Sequence, residues 1–250
     1  MNTNSQIIPA AQTLKQRFGA WLIPRLPINR HVFRHIRAEL NGAWVRILHV
    51  FHPRYRKTAS KLRSHRGIKA NIGSGPFGRL DWINLDMFWS ENVTLRTDCR
   101  YGLPLGDASC RGIHVEHFFE HLNHEDERHV FLAECYRCLE ERGVLRVIVP
   151  NAALFVAAYL SPGWDNFRQI AAVGDNPEAI FSTKMDALNH VIIQDFEHYG
   201  GYDEESLSAV LRQYGFREIH RRSFREGCFP DGCIDREQHK PYSLYVEAVK

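Results

Sequence analysis

Two histidines and a glutamate with the spacing of metal ligands lie near the middle of the chain. His117, Glu120 and His121, in the segment HVEHFFEHLNH (residues 114–124), fit the H-x-x-E-H pattern of an inverted zinc-protease helix. In such a helix the histidines hold a zinc ion and the glutamate acts on a bound water molecule. The pattern is short, so its meaning depends on the elements that carry it.

A second group of residues has the chemistry of a nucleoside-binding site. Gly73, Gly75 and Gly78 can be read as G-x-G-x-x-G, where glycines form a tight turn and let a ligand approach the backbone. Asp86 can accept from two ribose hydroxyls, and Asp98 can accept from an exocyclic amine. The turn lacks the Lys-Ser/Thr end of a phosphate-binding loop, which favours a nucleoside without phosphates, and that nucleoside could be cationic.

A nicotinamide dinucleotide is the alternative ligand for these residues. Its fingerprint places the ribose-binding acid about 20 residues after the first glycine, beyond a full crossover helix. Asp86 follows Gly73 too closely for that arrangement. The crossover helix is therefore predicted to be very short or missing.

Strands and crossovers alternate around these residues. The predicted strands are IKANIG, WINLDM, VTLRTDC, GIHVEHF and VLRVIVP. The segment EDERHVFLAECYRCLEERG is predicted to be an amphipathic helix that ends at Gly143, and Pro150 ends the fifth strand. Such alternation indicates a parallel sheet whose ligands bind at the carboxyl ends of the strands, where the candidate residues fall.

The same segments resemble a known family when they are taken in order. NIGSG, DWINLD, TDCRYGLPLGDAS, VEHFFEHL and ECYRCLEERGVLRVIVPN are similar to the motifs of class I S-adenosylmethionine (SAM)-dependent methyltransferases, most of all the bacterial type-11 branch. The resemblance covers roughly residues 68–151 and continues more loosely to the last strand, SLYVEAV. It implies an α/β fold with a doubly wound, mostly parallel, Rossmann-like sheet, a helical N-terminal extension and a helical insertion after the fifth strand.

The resemblance also implies SAM as cofactor and assigns residues to it. The glycine turn would back the methionine part, Asp86 would bind the ribose, and Asp98 with the backbone of Cys99 would hold the adenine. The full set of implied cofactor residues is Asn71, Ile72, Gly73, Ser74, Gly75, Asp86, Met87, Asp98, Cys99 and Glu116. Asn71 stands where many relatives have an acid, and Arg111 departs from a usual Phe-Asp pair. A catalytically degenerate fold that serves as a binding or scaffold module is therefore the alternative to an enzyme.

The H-x-x-E-H pattern can be interpreted within this arrangement. His117 ends the fourth predicted strand, so no continuous helix carries it together with His121, and we expect no metal and no zinc hydrolase. His117 is instead the first candidate for a general base toward an acceptor hydroxyl, because imidazole exchanges protons near neutral pH. His121 is the second candidate, with His198 and Tyr199 in reserve. A purely structural role for His117 is the alternative.

Basic charge is concentrated in residues 1–66, where thirteen lysines and arginines face one acid, Glu39. In this arm the apolar residues Phe33, Ile36, Leu40, Trp44, Ile47, Leu48 and Phe51 recur at helical spacing. The arm is predicted to be a basic amphipathic helix that packs on the main domain or contacts an anionic membrane surface. No nucleic-acid-binding motif accompanies the charge, so nucleic acid is not expected as a partner.

Residues 67–250 are predicted to form the methyltransferase domain, with residues 152–196 as a lid on the acceptor side. Trp164, Phe167 and Phe181 either stack on the acceptor or form the lid's own core. Cys135 and Cys138 are expected in the core, since they lie on the apolar side of a helix. No apolar run is long enough to span a bilayer and no secretory signal begins the chain, so a cytoplasmic protein is expected. The expected acceptor is a small molecule or a glycan, such as a surface polysaccharide, methylated on oxygen.

Overall fold

The computed structural model describes residues 29–170, 172 and 174–250. Contacts divide the chain after Leu40, so residues 41–250 form one compact unit, and the described residues 29–40 belong to another. The helices of the described part are α1 (Arg30–Phe51), α2 (Pro53–Ser64), α3 (Glu127–Cys138), α4 (Ala152–Leu160), α5 (Asp165–Ile170), α6 (Pro177–Ile180), α7 (Lys184–Ile193) and α8 (Glu204–Gln213).

In the described part of the chain, seven strands form a single sheet in the order β3-β2-β1-β4-β5-β7-β6. The strands are β1 (Ile68–Ile72), β2 (Ile83–Asp86), β3 (Leu95–Arg96), β4 (Cys110–Glu116), β5 (Leu139–Pro150), β6 (Glu218–Arg222) and β7 (Ser243–Val249). β1 to β5 pair in parallel, and β7 runs antiparallel to both of its neighbours. The predicted doubly wound, mostly parallel Rossmann-like sheet is confirmed, as is the helical insertion after β5.

One face of the sheet carries the main apolar core. Its side chains alternate along the strands with those of the other face, as the pleat requires. They pack against buried residues of α2, α3 and α8. The core includes Ile72, Ile113, Val115, Leu145, Val147, Val246, Phe131, Leu132, Cys135, Cys138 and Leu211. Cys135 and Cys138 are fully buried free thiols, as the helical spacing predicts.

The opposite face carries a row of polar side chains. In register across six strands the row runs Asn84, Asn71, His114, Arg146, Glu247 and His220. All but His220 are buried. The connection between β6 and β7, residues 223–242, covers much of this face, where it supplies Asp235 to Arg146 and packs Phe229 against Trp82. We refer to these six residues as the polar row.

The helix before β5 is shorter than the sequence predicts. It ends at Cys138 rather than at Gly143, and β5 begins at Leu139, opposite Cys110 of β4. Arg142 adopts a left-handed conformation with φ 63° inside the irregular start of the strand. Leu139 is fully buried in the main core, so its packing into the sheet overrides the helical propensity of the residues after it.

The predicted apolar face of α1 is exposed rather than packed. In the part of α1 that belongs to the larger unit, Trp44, Ile47 and Phe51 are 54%, 46% and 75% exposed. This part packs through its opposite side, where Val45 is fully buried and Gly42 approaches the main domain. This part of α1 therefore packs on the domain, but not through Trp44, Ile47 and Phe51. Among the described helices, none combines the length and apolar character that crossing a membrane requires.

Candidate functional site

The glycine turn follows β1 at the carboxyl edge of the sheet. Gly73 and Gly75 have φ of 66° and 50°, a region that glycine enters without steric cost. A Cβ atom on Gly73 would lie 2.8 Å from the ring of Phe118. The amides of Gly73 and Ser74 donate to the carbonyl of Leu85 at 2.9 and 3.3 Å. The turn is thus fixed against β2, and no crossover helix lies between β1 and β2, in agreement with the sequence prediction.

Asp86, the last residue of β2, faces this turn. Its carboxylate accepts from the amide of Gly75 at 2.8 Å and from the amide of Phe88 at 2.7 Å. Burial raises the pKa of the Asp86 carboxyl, and the two backbone hydrogen bonds offset only part of that rise. Met87 follows, and its carbonyl accepts from Arg96 at 3.1 Å. Each Asp86 oxygen keeps a second lone pair, so the carboxylate can still accept from a diol.

Asp98 lies two residues beyond β3 and is engaged by two arginines that the sequence prediction missed. Arg100 donates to both carboxylate oxygens at 2.8 and 3.0 Å, and Arg46 of α1 also pairs with Asp98. A Cβ atom on Gly42 would lie 2.6 Å from an Asp98 oxygen, so α1 closely covers this carboxylate. Cys99 is buried, and burial raises the pKa of its thiol well above the ordinary value.

Glu116, at the end of β4, faces the polar side of the sheet. It accepts from His239 at 2.9 Å, from the amide of Arg236 at 3.1 Å, and pairs with the Arg236 guanidinium at 3.0 Å. Burial raises the pKa of the Glu116 carboxyl, but hydrogen bonds from His114 and His239 and the nearby charges lower it by more. Glu116 is therefore held as a carboxylate by the β6–β7 connection, and its role toward a cofactor stays a prediction.

His117 follows β4 directly, as the sequence predicts. Its φ of 52° is unusual for a residue with a side chain, and strained backbone of this kind is often found at functional sites. Its Nε2 lies 2.9 Å from Ser243 Oγ, and its Nδ1 lies 3.3 Å from Glu120 Oε1. The His117 and His239 rings are 3.8 Å apart between centroids. Glu120 thus stands behind His117, in the position of a group that orients an imidazole.

Glu120 and His121 belong to a short 3-10 helix, Phe119–His121, so the continuous helix of an inverted zinc protease is not present here. The fold nevertheless brings Glu120 and His121 close to His198 at the end of the insertion. Burial raises the pKa of the Glu120 carboxyl, but the contact with His117 and the charges of His121 and His198 lower it by more. Tyr199 is exposed at the edge of this group.

The insertion has an apolar core of its own. Phe167 is fully buried among Phe155, Leu188 and Val191, and Trp164 and Phe181 pack against this cluster while partly buried. The interpretation of Phe167 as part of the lid's own core is therefore supported by its burial. Trp164 and Phe181 keep some exposed surface.

No protein-family model matches the chain, and no curated protein matches it significantly. Several solved structures do match the chain. A SAM-dependent methyltransferase from Archaeoglobus fulgidus is 18% identical, with 85% of this chain and 94% of that chain covered and a TM-score of 0.47. A SAM-dependent methyltransferase from Thermotoga maritima, a possible histamine N-methyltransferase, is 16% identical, with 86% and 99% covered and a TM-score of 0.45. The 1,6-didemethyltoxoflavin-N1-methyltransferase of Burkholderia thailandensis, solved with S-adenosylhomocysteine, is 15% identical, with 90% and 92% covered and a TM-score of 0.42.

Proposed function

We propose that residues 67–250 form a SAM-dependent methyltransferase. The observation that carries the proposal is the glycine turn after β1, in which Gly75 donates to Asp86 at the end of β2. This contact sets a backbone cradle and a ribose-binding carboxylate side by side at the carboxyl edge of a doubly wound sheet, where such folds bind nucleosides. His117 lies at the end of the adjoining strand β4.

Two features of the turn fit a bound methionine part. Ser74 Oγ is buried and has no hydrogen-bond partner among the described residues, although buried hydroxyls are nearly always paired. A Cβ atom on Gly75 would meet no atom within 4 Å. In the proposed complex a polar group of the ligand pairs with Ser74, and the ligand backbone lies against Gly75. Asn71, Ile72 and Gly73 complete the cradle, with Asp86 and Met87 next to the ribose.

The adenine would lie in the open groove beside Asp98. Thr97, Tyr101 and Leu103 line this groove together with Arg46, and the Arg46 guanidinium lies 4.3 Å from the centre of the Tyr101 ring. In this proposal the backbone of Cys99 remains available to hydrogen-bond with the adenine. The pairing of Asp98 with two arginines favours a second candidate function, a binding or scaffold module with a methyltransferase fold that has lost turnover.

Methyl transfer to a hydroxyl requires that the methyl donor and the acceptor oxygen be aligned, and that a group accept the hydroxyl proton. SAM, held by the glycine turn and Asp86, would supply a methyl group on a sulfonium, and the acceptor oxygen would take that methyl group while the carbon–sulfur electron pair stays on sulfur. The acceptor's proton would pass to His117 Nε2, in place of the present contact with Ser243 Oγ, while Glu120 Oε1 lies 3.3 Å from the other ring nitrogen. His121 is the reserve base. This arrangement suits O-methylation of a hydroxyl on a small molecule or a glycan, admitted under the insertion 152–196.

The direct test is thermal unfolding of the purified protein with S-adenosylhomocysteine, SAM or NAD. A ligand at 100 times its Kd adds about 2.7 kcal/mol to the free energy of unfolding, which corresponds to roughly 5–10 °C for a chain of this size. We expect only the two sulfur nucleosides to raise the midpoint, and His117→Ala to keep this shift while losing turnover of a hydroxyl acceptor. A midpoint raised by NAD alone, or by none of the three, would contradict the proposal.

The N-terminal arm suits an acceptor held at an anionic membrane surface. The exposed apolar residues Trp44, Ile47 and Phe51 are followed in α2 by the exposed basic residues Arg54 and Lys57. An exposed apolar stripe with adjacent positive charge is typical of helices that lie in the membrane interface. We infer peripheral contact with anionic lipid, which would bring the domain close to lipid-linked glycans.

The lipid contact can be tested by sedimentation with anionic vesicles. Deletion of residues 1–66 is unsuitable because it would also remove Arg46 from Asp98. Phe51→Glu is expected to lower the protein's partition constant between buffer and vesicles about tenfold or more. The reason is that burying an aromatic side chain in the lipid stabilises the bound state by roughly 1.5–3 kcal/mol. Leu80→Glu, at a residue 97% exposed elsewhere, is the matched control. Equal sedimentation of Phe51→Glu and wild type would refute the contact.

A further inference from the structure

Three potential metal ligands converge where the insertion returns to the sheet. Glu120 and His121 come from the 3-10 helix after β4, and His198 follows α7. One ligand atom from each residue lies within 4.8 Å of the others. We call these three residues the Glu120 cluster. The cluster has two imidazoles and one carboxylate, a donor set typical of sites for divalent transition metals.

Both histidines of the cluster are oriented by backbone carbonyls. His121 Nδ1 lies 3.0 Å from the carbonyl oxygen of Glu197, and His198 Nδ1 lies 2.8 Å from that of Val191. A carbonyl can only accept, so each Nδ1 carries a proton, and in the neutral ring the lone pair stays on Nε2. Metal-binding histidines are commonly held in this way, with one ring nitrogen on a carbonyl and the other toward the ion.

The carboxylate supplies an independent observation. Glu120 is 1% exposed, and neither of its oxygens has a hydrogen bond of acceptable geometry to any described residue. Outside the cluster, His117 Nδ1 lies 3.3 Å from Oε1. Oε2 is therefore left for another partner. A buried carboxylate without hydrogen bonds is costly unless a cation compensates it.

We propose that the Glu120 cluster binds one divalent first-row transition metal ion, such as zinc. Two imidazole nitrogens and one carboxylate oxygen suit zinc or cobalt better than magnesium or calcium, which prefer oxygen ligands throughout. Three protein ligands leave at least one coordination position for water or for an acceptor oxygen. His198 comes shortly after three consecutive left-handed residues, Gln194 to Phe196. The ion would also link it to the 3-10 helix that follows β4.

The experiment measures metal binding by the full chain, without any methyl donor. Protein stripped with a chelator is titrated with Zn²⁺ in a calorimeter and with Co²⁺ while its visible absorption is recorded. We expect one ion per chain and a cobalt spectrum of nitrogen and oxygen ligation. Glu120→Gln and His198→Ala are expected to weaken metal binding by at least about tenfold. Mutating even a residue that only hydrogen-bonds to a metal ligand typically lowers metal affinity by roughly 10–100-fold.

Two control variants separate this site from others. His220→Ala removes an exposed histidine on β6. Cys228→Ser removes an exposed thiol that, together with Cys233 five positions later, offers an alternative zinc site. Both variants should bind the metal as the wild type does. If His198→Ala does not fold, His121→Ala at a less buried position takes its place. The proposal would be overturned if the wild type bound no metal tightly, or if wild type and Glu120→Gln bound it equally well. The histidines would then serve only to balance the charge of Glu120.

Discussion

Replacing Arg146 with alanine is expected to lower the free energy of unfolding by about 3–5 kcal/mol. Arg146 is fully buried in β5 and donates to Asp235 at 2.8 Å and to Glu247 at 3.0 Å. It also donates to the carbonyls of Ser223 and Glu226 at 3.1 Å. Its loss would leave the buried Asp235 carboxylate without its cation and two carbonyls without a donor, and Glu247 would keep only its ion pair with Arg222. The β6–β7 connection would therefore lose its anchor on the sheet.

Urea unfolding followed by circular dichroism measures this effect. Arg146→Lys keeps the charge but cannot form the forked pair with Asp235, so an intermediate loss is expected. Arg221→Ala is the control, because Arg221 pairs with Glu204 on the surface, where such pairs contribute little. A loss below about 1 kcal/mol for Arg146→Ala would show that the carboxylates are not held as buried charges.

Replacing Asp86 with alanine is expected to abolish the stabilisation by S-adenosylhomocysteine, a loss of about 2.7 kcal/mol at a ligand concentration 100 times the wild-type Kd. The variant loses the carboxylate that we propose accepts from the ribose diol, and the amide of Gly75 loses the hydrogen-bond partner that fixes the turn. Differential scanning calorimetry with and without ligand measures the effect.

Asp81→Ala is the matched control for this substitution. Asp81 lies in the same connection between β1 and β2, but its side chain is 66% exposed and pairs with Lys69. Its removal should leave the ligand shift intact. A full shift in Asp86→Ala would place the ribose elsewhere, whereas a lost shift in both variants would indicate that the connection as a whole has been disturbed.

The sequence predicted the parts of the site that depend on local geometry. The strands around Gly73, Asp86 and His117 could be placed because short apolar runs between glycine, proline and polar residues indicate a parallel sheet. The missing crossover helix followed from the short distance between Gly73 and Asp86. The fold class is confirmed for the same reason, since alternating strands and crossovers leave few topologies open.

The remaining parts depend on contacts between residues far apart in the chain. Arg46 reaches Asp98 across 52 residues, and His198 reaches Glu120 only through the path of the insertion. The exposed face of α1 could not be predicted either, because an amphipathic pattern identifies an apolar side without saying what covers it. A signal for the polar row was present. His114, Arg146 and Glu247 each lie between two apolar residues within a strand.

The polar row also restricts which pairings of the strands are accessible during folding. In a parallel sheet with apolar residues on both faces, neighbouring registers differ little in energy. Here a slip of β5 by one residue would turn Arg146 into the apolar core, away from Asp235 and Glu247, at the cost of an uncompensated buried charge. Misaligned sheets are thus strongly penalised. The row acts as a selector among competing folded arrangements, whatever its net contribution to the stability of the native one.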